Sequence, residues 1–252
     1  MDELSDRIVL VTGAGGGIGA ATARALVAGG AAVVLHDVRA GDRLDALAGE
    51  LGDRAAVVTA DLADPAAAEG VWDEALGWRG RVDVLVNNAG IYEPALVDGS
   101  LDDWTAAWQR TLAVNLVSPA TLCRAAIRTY RGQAGGGVII NLASRAAFRG
   151  EDPDFWHYAA AKAGIVAMTK TIARGYGRDG VTAFAVAPGF VDTPFNAPAV
   201  EKYGLDFFAA DTGLGEVARP EDVAAIIAFL ATGRARHATG TTIDVNGASY
   251  VR

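Results

Sequence analysis

The sequence is poor in the residues that build metal sites and disulfide bonds. Its 252 residues include one cysteine, Cys123, and three histidines. These residues offer neither a metal-ligand cluster nor a disulfide pair. A chain without disulfides is typical of a reducing compartment, so we expect a cytoplasmic protein.

Long apolar segments and an excess of basic charge are also missing. No uninterrupted apolar segment approaches the roughly 20 residues of a membrane-spanning helix, and the acidic stretch at residues 1–7 lacks the pattern of a signal peptide. The formal net charge of −8 argues against nucleic acid or an anionic membrane as a partner. Because 51% of the residues are hydrophobic, the chain can bury a sizeable core. We therefore expect a soluble globular protein.

Short β-branched segments alternate with amphipathic segments along the chain. The segment Arg7–Val11 predicts a buried strand, and a glycine-rich turn, a helix to about Val27 and a second strand at Ala32–Asp37 follow it. This βαβ unit implies a right-handed crossover and a parallel sheet. Further strands are predicted at 55–60, 82–87, 138–142, 181–187 and 241–245, and further helices at 43–51, 66–78, 101–130, 155–176 and 220–231.

The alternation continues without a change of composition that would mark a domain boundary. Seven strands and six helices predict a single domain, an α/β fold with a doubly wound (Rossmann-type) parallel sheet and helices on both faces. Ligands bind beyond the carboxyl ends of the strands in such sheets. Residues at the strand exits are therefore the candidates for function.

The first strand exits into a turn rich in glycine. Gly13 permits a tight turn, Gly17 lets the backbone approach a phosphate, and Gly19 lets helix and strand pack closely. The helix that begins beside Ile18 presents unpaired N–H groups, which suit a pyrophosphate. The position of this turn between a strand and a helix predicts a dinucleotide site.

The second strand ends at Asp37, where a carboxylate can accept hydrogen bonds from an adenosine ribose. A carboxylate there repels a 2′-phosphate, so NAD is favoured over NADP. Arg39 and His36 are weak opposing signals, although Gly16 occupies a turn position where a basic residue would have favoured NADP. The alternative is that Asp37 only begins a turn.

The third and fourth strands end in further polar residues. Asp61 and Leu62 follow the third strand, and Asn88, Ala89 and Gly90 close the fourth. Asp61 could accept a hydrogen bond from an adenine amino group. The residues after the fourth strand could line a cofactor or satisfy backbone groups of the central strands.

Tyr158 and Lys162 stand four residues apart in a predicted helix, so their side chains share one face. A tyrosine has a pKa of about 10, which an adjacent positive charge lowers. Bringing it to about 7 requires roughly 4 kcal/mol, which a lysine and a cationic cofactor together could supply. The spacing alone often arises by chance on helices.

The combination of motifs resembles the short-chain dehydrogenase/reductase family, in particular its NAD-type members of about 250 residues. The motifs are Thr-Gly-x-x-x-Gly-x-Gly at residues 12–19, Asn-Asn-Ala-Gly at 87–90, a serine after the fifth strand, Tyr-x-x-x-Lys and a later Pro-Gly. They occur in order along the full length of the chain.

The resemblance implies a catalytic set of Asn115, Ser144, Tyr158 and Lys162. Tyr158 would protonate a carbonyl oxygen or deprotonate an alcohol. Lys162 would lower the pKa of Tyr158 and bind the nicotinamide ribose. Ser144 would hold the substrate oxygen, and Asn115 would hold a water that relays protons to Lys162.

The resemblance also implies a nicotinamide clamp and an oligomer. The clamp would comprise Pro188, Gly189, Val191 and Thr193, with the Val191 backbone and the Thr193 hydroxyl holding the carboxamide. Relatives commonly associate through the last strand and the tyrosine helix, so a homotetramer or homodimer is expected.

Aromatic residues near the strand exits predict the substrate wall. We expect an apolar or ring-containing ketone or secondary alcohol, under a mobile lid formed by residues 192–216. Arg145 and Arg149 could bind a carboxylate, although arginines at such positions are usually solvated. The predicted substrate residues are Tyr92, Glu93, Arg145, Phe155, Phe190, Phe195 and Phe207.

Three functions are compatible with these features. The favoured one is an NAD-dependent secondary-alcohol dehydrogenase. The second is an NADPH-dependent reductase of 3-oxoacyl groups on acyl carrier protein, whose cofactor Asp37 disfavours and whose acidic partner the net charge disfavours. The third is a non-catalytic protein that only binds the cofactor, which the complete catalytic set argues against.

Overall fold

All seven predicted strands occur in the computed structural model, which describes residues 3–252. The strands are β1 (Ile8–Thr12), β2 (Ala32–Asp37), β3 (Ala55–Thr59), β4 (Val84–Asn87), β5 (Gly137–Leu142), β6 (Val181–Pro188) and β7 (Thr242–Val245). They form one parallel sheet in the order β3-β2-β1-β4-β5-β6-β7.

The helices between the strands cover both faces of the sheet. The six predicted segments are helical, and three further helices of four to seven residues were not predicted. The helices are α1 (Gly17–Ala28), α2 (Asp42–Leu51), α3 (Pro65–Arg79), α4 (Leu101–Leu112), α5 (Ser118–Tyr130), α6 (Ala146–Arg149), α7 (Trp156–Tyr176), α8 (Ala197–Tyr203), α9 (Leu205–Ala209) and α10 (Pro220–Ala231). None of the helices within residues 3–252 is long and apolar enough to cross a membrane.

One prediction about the helices is wrong. The segment 101–130 was predicted as a single helix, but a π-helical turn at Ala113–Val117 separates α4 from α5. Such turns admit an extra residue into a helix and occur often at functional sites. Asn115 lies in this turn.

Several helix ends follow from local sequence. The Asp64 carboxylate accepts a hydrogen bond from the Ala66 N–H at 2.8 Å and caps α3, whose first residue is Pro65. Gly80, with a φ of 75°, ends the same helix. At α10 the Asp222 carboxylate accepts from the Arg219 N–H at 2.7 Å.

The alternation of side chains along each strand creates a separate apolar core on each face of the sheet. In β1, Val9 and Val11 contribute to the core beneath α1, α2 and α10, whereas Leu10 contributes to the core beneath α3, α5 and α7. Trp72 is a large side chain fully buried in the second core. Full burial of a Val or Leu side chain contributes about 1.5–3 kcal/mol.

The strand order reverses between β1 and β4. The chain runs outward from β1 through β2 to β3, then returns to place β4 on the other side of β1. The connections at the carboxyl ends therefore diverge, which leaves a crevice above β1 and β4. The predicted strand-exit residues of both halves meet there.

Candidate active site

A cavity of about 1420 Å³ occupies the carboxyl edge of the sheet. Of the predicted cofactor residues, Gly19 is the exception that does not line it. Ser144 and the tyrosine–lysine pair line the same cavity, so the dinucleotide and catalytic motifs share one space. The other predicted cofactor residues that line it are Gly13, Gly17, Ile18, Asp37, Asp61, Leu62, Asn88, Ala89, Gly90, Pro188, Gly189, Val191 and Thr193.

The glycine turn is held against the loop after β4 by hydrogen bonds. The Asn88 side-chain amide donates to the carbonyls of Thr12 at 2.8 Å and Gly13 at 3.1 Å. The Thr12 hydroxyl accepts from the N–H groups of Asn88 and Ala89, each at 3.0 Å. A Cβ atom on Gly19 would lie 2.1 Å from the Gly13 carbonyl oxygen, so Gly19 serves the close packing behind the cavity.

The beginning of α1 is open to an anion. Gly16 precedes the helix, no side chain caps it, and its first turn contains no acidic residue. The first N–H groups of a helix without a cap need an external acceptor. A phosphate group would satisfy them and would interact favourably with the positive end of the helix dipole.

Asp37 lies beside this turn in a fixed orientation. Its Oδ2 accepts a hydrogen bond from the Gly15 N–H at 2.8 Å, and its Oδ1 accepts from the Val38 N–H at 2.7 Å. A Cβ atom at Gly15 would lie 2.6 Å from Oδ2, so the absence of a side chain at this position makes room for the carboxylate.

Tyr158 and Ser144 face each other in the cavity. Burial raises the pKa of Tyr158 above its ordinary value, and the neighbouring Ser144 hydroxyl partly opposes that increase. The Ser144 oxygen accepts a hydrogen bond from the Ala146 N–H at 3.1 Å. Its hydroxyl hydrogen can therefore be directed at another acceptor.

Lys162 lies next to Tyr158, and its ammonium group is bound to the backbone. Its Nζ lies 5.6 Å from the centre of the Tyr158 ring and donates to the Leu142 carbonyl oxygen at 2.8 Å. Burial lowers the pKa of Lys162 to about 8. Burial is the largest cause of the raised pKa of Tyr158, and the predicted lowering, which depends on a cationic cofactor as well as on Lys162, stays a prediction.

Asn115 is held by a pair of hydrogen bonds across the π-helical turn. Its Oδ1 accepts from the Ile91 N–H and its Nδ2 donates to the Ile91 carbonyl, both at 2.9 Å. It does not line the cavity, but it lies next to Gly90, where a Cβ atom would be 3.2 Å from Asn115 Oδ1 and 3.7 Å from Lys162 Nζ. Its side-chain amide orders the loop after β4 beside the lysine. The expected role of Asn115 in holding a water that relays protons to Lys162 stays a prediction.

Buried polar contacts fix α7 against the sheet. The Asn87 amide donates to Asn141 Oδ1 at 2.8 Å, and the Asn141 amide donates to the Thr169 hydroxyl at 2.9 Å. Thr169 belongs to α7, two helical turns beyond Lys162. These contacts and the bond from Lys162 to Leu142 set the position of α7 relative to β5.

The end of the cavity in front of Tyr158 is largely aromatic. Four of the predicted substrate residues line the cavity: Tyr92, Phe190, Phe195 and Phe207. Tyr92 meets the Tyr158 ring edge-on at 4.9 Å between centroids. Phe190 stacks on Phe208 at 3.6 Å. Flat apolar rings therefore border the space in front of Tyr158.

Two predicted substrate residues lie behind this wall. Phe155 is outside the cavity lining and stacks on Tyr92 at 3.8 Å. Glu93 is also outside it, because its carbonyl accepts from His157 at 3.0 Å and its carboxylate pairs with Arg110 at 3.6 Å. Proximity in sequence to a cavity residue led to the prediction of both.

Arg145, a predicted substrate residue, lines the cavity and is more buried than arginines at such positions usually are. Its side chain is only 13% exposed, and its Nη1 donates to Asp211 Oδ2 at 2.8 Å. Arg149 donates to the same oxygen at 3.1 Å. Asp211 follows α9, so these bonds join the predicted lid segment to the loop after β5.

The segment after β6 also contains a residue that sequence reasoning missed. The Val191 carbonyl accepts from the Asn196 side chain at 2.7 Å and from the Thr193 hydroxyl at 3.4 Å. Asn196 lines the cavity, but no motif pointed to it.

No group of three or more histidine, cysteine or acidic side chains suited to a metal occurs in residues 3–252.

A sequence model of the family described as Enoyl-(Acyl carrier protein) reductase matches residues 13–248. A solved short-chain type dehydrogenase/reductase from Mycobacterium marinum superposes with a TM-score of 0.90 at 29% identity, covering 100% of this chain and 98% of the other. The chain belongs to the short-chain dehydrogenase/reductase family. Its single parallel sheet with helices on both sides is the fold of that family.

Relatives within the short-chain dehydrogenase/reductase family act on different substrates, as their names indicate. Cis-4-hydroxycyclohexanecarboxylate dehydrogenase of Sinomonas cyclohexanicum is 39% identical, covering 98% of this chain and 97% of the relative. 3beta-hydroxysteroid dehydrogenase 1 of Eggerthella lenta is 39% identical, covering 98% and 94%. A 3-oxoacyl-[acyl-carrier-protein] reductase of Synechocystis is 37% identical, covering 98% of both chains.

One related structure contains a cofactor. A blue fluorescent protein from a metagenomic library, in complex with NADPH, superposes with a TM-score of 0.89 at 35% identity. The alignment covers 99% of this chain and 100% of that one. The family therefore binds nicotinamide cofactors, and membership alone does not decide between NAD and NADP.

Proposed function

We propose that the protein transfers a hydride between NAD(H) and a secondary alcohol or ketone, with Tyr158 as the general acid and base. The observation that carries this proposal is the meeting of a dinucleotide turn, Asp37 and the Ser144–Tyr158–Lys162 group in one cavity. Catalytic residues at the exits of several strands are typical of doubly wound enzymes.

The residues at the β1 and β4 exits fit a dinucleotide. The uncapped N-terminus of α1 would hold the pyrophosphate, and Asp37 would accept hydrogen bonds from the adenosine ribose. The other predicted contacts, Asp61 and Leu62 toward the adenine and residues 88–90 along the cofactor, border the same space. When bound, the nicotinamide supplies the hydride acceptor or donor.

The chain's own residues would manage the proton. The Ser144 hydroxyl, whose oxygen already accepts from Ala146, would donate to the substrate oxygen. During reduction Tyr158 would donate its proton to that oxygen; its raised pKa keeps the phenol protonated beforehand but makes it a weaker acid. During oxidation Tyr158 would take the proton, which requires added positive charge near the phenol. Lys162, whose Nζ lies 5.6 Å from the centre of the Tyr158 ring, would supply part of that positive charge. Burial lowers the pKa of Lys162 to about 8.

The selection of NAD rests on Asp37. Its carboxylate is fixed by two backbone N–H groups, and Gly16 offers no positive charge to a 2′-phosphate. Arg39 also lines the cavity, but it is not hydrogen-bonded to Asp37 in the described chain. Repulsion between like charges therefore favours a cofactor without the phosphate.

The aromatic wall supports a ring-bearing substrate. Tyr92, Phe190 and Phe195 would contact an apolar ring, while residues 192–216 would act as a lid over it. Two relatives are named for oxidation of hydroxyl groups on rings. Charged macromolecular partners are not required. We further propose a cytoplasmic homotetramer or homodimer, as commonly found in the family.

The second candidate is the NADPH-dependent reduction of 3-oxoacyl groups on acyl carrier protein. The Synechocystis relative and the NADPH-bound structure favour it, whereas Asp37 and the net charge of −8 oppose it. A non-catalytic cofactor-binding role is a third and weaker candidate.

Parallel assays can decide among these candidates. A panel of cyclic and acyclic secondary alcohols, their ketones and a 3-oxoacyl thioester is tested with NAD(H) and NADP(H), with cofactor absorbance as the readout. We expect turnover of ring-bearing alcohols or ketones with NAD(H). A strong preference for NADPH and the thioester would replace the proposal, and binding of cofactor without any turnover would favour the non-catalytic role.

A further inference from the structure

Two arginines at the substrate end of the cavity have more hydrogen-bonding capacity than the protein uses. Arg145 follows Ser144 directly, and Arg149 lies one helical turn further along α6. Both side chains line the cavity. Each guanidinium carries five N–H donors, yet within residues 3–252 each makes one side-chain hydrogen bond, to Asp211 Oδ2.

The position of these donors favours a ligand with an anionic group. Arg145 is largely withdrawn from solvent at 13% side-chain exposure, while Arg149 is 36% exposed. A guanidinium interacts most strongly with a planar carboxylate that takes two parallel hydrogen bonds. Asp211 presents only one oxygen to the two arginines, so most of their donors have no partner within residues 3–252.

Among residues 3–252, Asp211 is the single carboxylate that forms an ion pair with these arginines, so two guanidinium groups share one acidic partner. Glu151 and Asp152 also line the cavity, but neither forms an ion pair with these arginines in the described chain. Both acids raise the pKa of Tyr92. Burial raises the pKa of Glu151, and the charges of Arg145 and Arg149 partly oppose that increase, so the Glu151 carboxylate also acts on these arginines without pairing with them.

We propose that Arg145 and Arg149 form a carboxylate subsite, and that the substrate is a ring-bearing hydroxy acid or its keto acid. The binding of the hydroxyl end by Ser144 and Tyr158 rests on the proposed function. Ser144 and Tyr158 hold the reacting oxygen, and the adjacent guanidinium groups hold the carboxylate at the far side of the ring. Asp211, which is on the lid segment, takes the place of that carboxylate in the free protein.

The direct test compares an acid with its neutral isostere. Cyclohexanecarboxylate and cyclohexanecarboxamide are titrated into the NADH-loaded protein, and ligand-detected NMR reports their dissociation constants. We expect the acid to bind about tenfold more tightly, as charge-assisted hydrogen bonds allow. Arg145→Gln/Arg149→Gln should abolish this preference and leave amide binding unchanged.

Three further variants separate the subsite from general charge effects. Arg110→Gln is the matched control, because Arg110 lines the same cavity but pairs with Glu93, and its acid-over-amide ratio should equal that of the wild type. Asp211→Asn removes the competing carboxylate and should tighten binding of the acid. Glu151→Gln should act in the same direction.

Equal affinities for acid and amide in the wild type would overturn the proposal. A preference that survives in Arg145→Gln/Arg149→Gln would also overturn it, provided that the variant still binds NADH with wild-type affinity. The oxidation of neutral cyclohexanol with NAD tests the proposed function separately. A preference for the acid without turnover of any secondary alcohol would leave the subsite in place and reject the hydride-transfer role.

Discussion

The orientation of Asp37 predicts a strong discrimination between NADH and NADPH. The carboxylate is held over the glycine turn by the N–H groups of Gly15 and Val38, so it cannot turn away without losing two hydrogen bonds. A 2′-phosphate carries about −1.5 to −2 charges at neutral pH. NADPH would therefore bring a second anionic group beside a fixed one.

The size of the effect follows from Coulomb's law. Two unit charges about 5 Å apart repel by roughly 3 kcal/mol at an effective dielectric constant of about 20. Because Asp37 is partly exposed and salt screens the pair, we expect about 2 kcal/mol, or roughly 30-fold in the dissociation constant. The variant Asp37→Asn keeps the shape and removes the charge.

Binding titrations monitored by NADH and NADPH fluorescence measure this difference without a substrate. Asp37→Asn should tighten NADPH binding roughly 30-fold and weaken NADH binding slightly. Asp45→Asn is the control, since Asp45 is exposed in the first turn of α2 and does not line the cavity. Equal affinities of the wild type for the two cofactors, or an unchanged ratio in Asp37→Asn, would refute the reasoning.

Three other predictions concern packing, the π-helical turn and a buried charge. Gly19→Ala places a Cβ atom 2.1 Å from the Gly13 carbonyl oxygen. It should lower the free energy of unfolding by about 1–3 kcal/mol and therefore lower the melting temperature. An unchanged melting temperature would contradict the packing role. Asn115→Leu leaves both backbone groups of Ile91 without their partners and should cost about 2–4 kcal/mol in urea unfolding, together with a loss of turnover; full stability would show that water replaces the amide. Burial lowers the pKa of Lys162 from 10.5 to about 8, so its charge destabilises the folded chain below pH 8 and this effect fades as the pH rises toward 10.5. The stability of Lys162→Met relative to wild type should therefore be roughly 2–3 kcal/mol more favourable at pH 7 than at pH 10, and a difference independent of pH would contradict the assigned burial.

The fold could be predicted from sequence because its signals are local. Segments such as Ala32–Asp37 are apolar and β-branched, and glycine or proline marks the ends of the helices between them. The π-helical turn around Asn115 could not be predicted, because apolar periodicity does not change when a single turn widens. The hydrogen bonds to Ile91 that accompany this turn are tertiary contacts.

Most of the site residues predicted from sequence line the cavity, but the contacts of their side chains could not be predicted. The spacing of Tyr158 and Lys162 places them on one helical face, but it does not determine where the ammonium group goes. The structure directs that group to the Leu142 carbonyl. The ion pair of Arg145 could not be predicted, because its partner Asp211, which is 66 residues away, gives no local signal.

The central claim is that the phenol of Tyr158 transfers the proton. The most direct test is the turnover of Tyr158→Phe with NADH and the best ketone found in the assay panel, alongside its NADH dissociation constant and its melting temperature. The account predicts a loss in kcat of about 100- to 10,000-fold, with cofactor binding and stability close to those of the wild type. Wild-type turnover in Tyr158→Phe would contradict it.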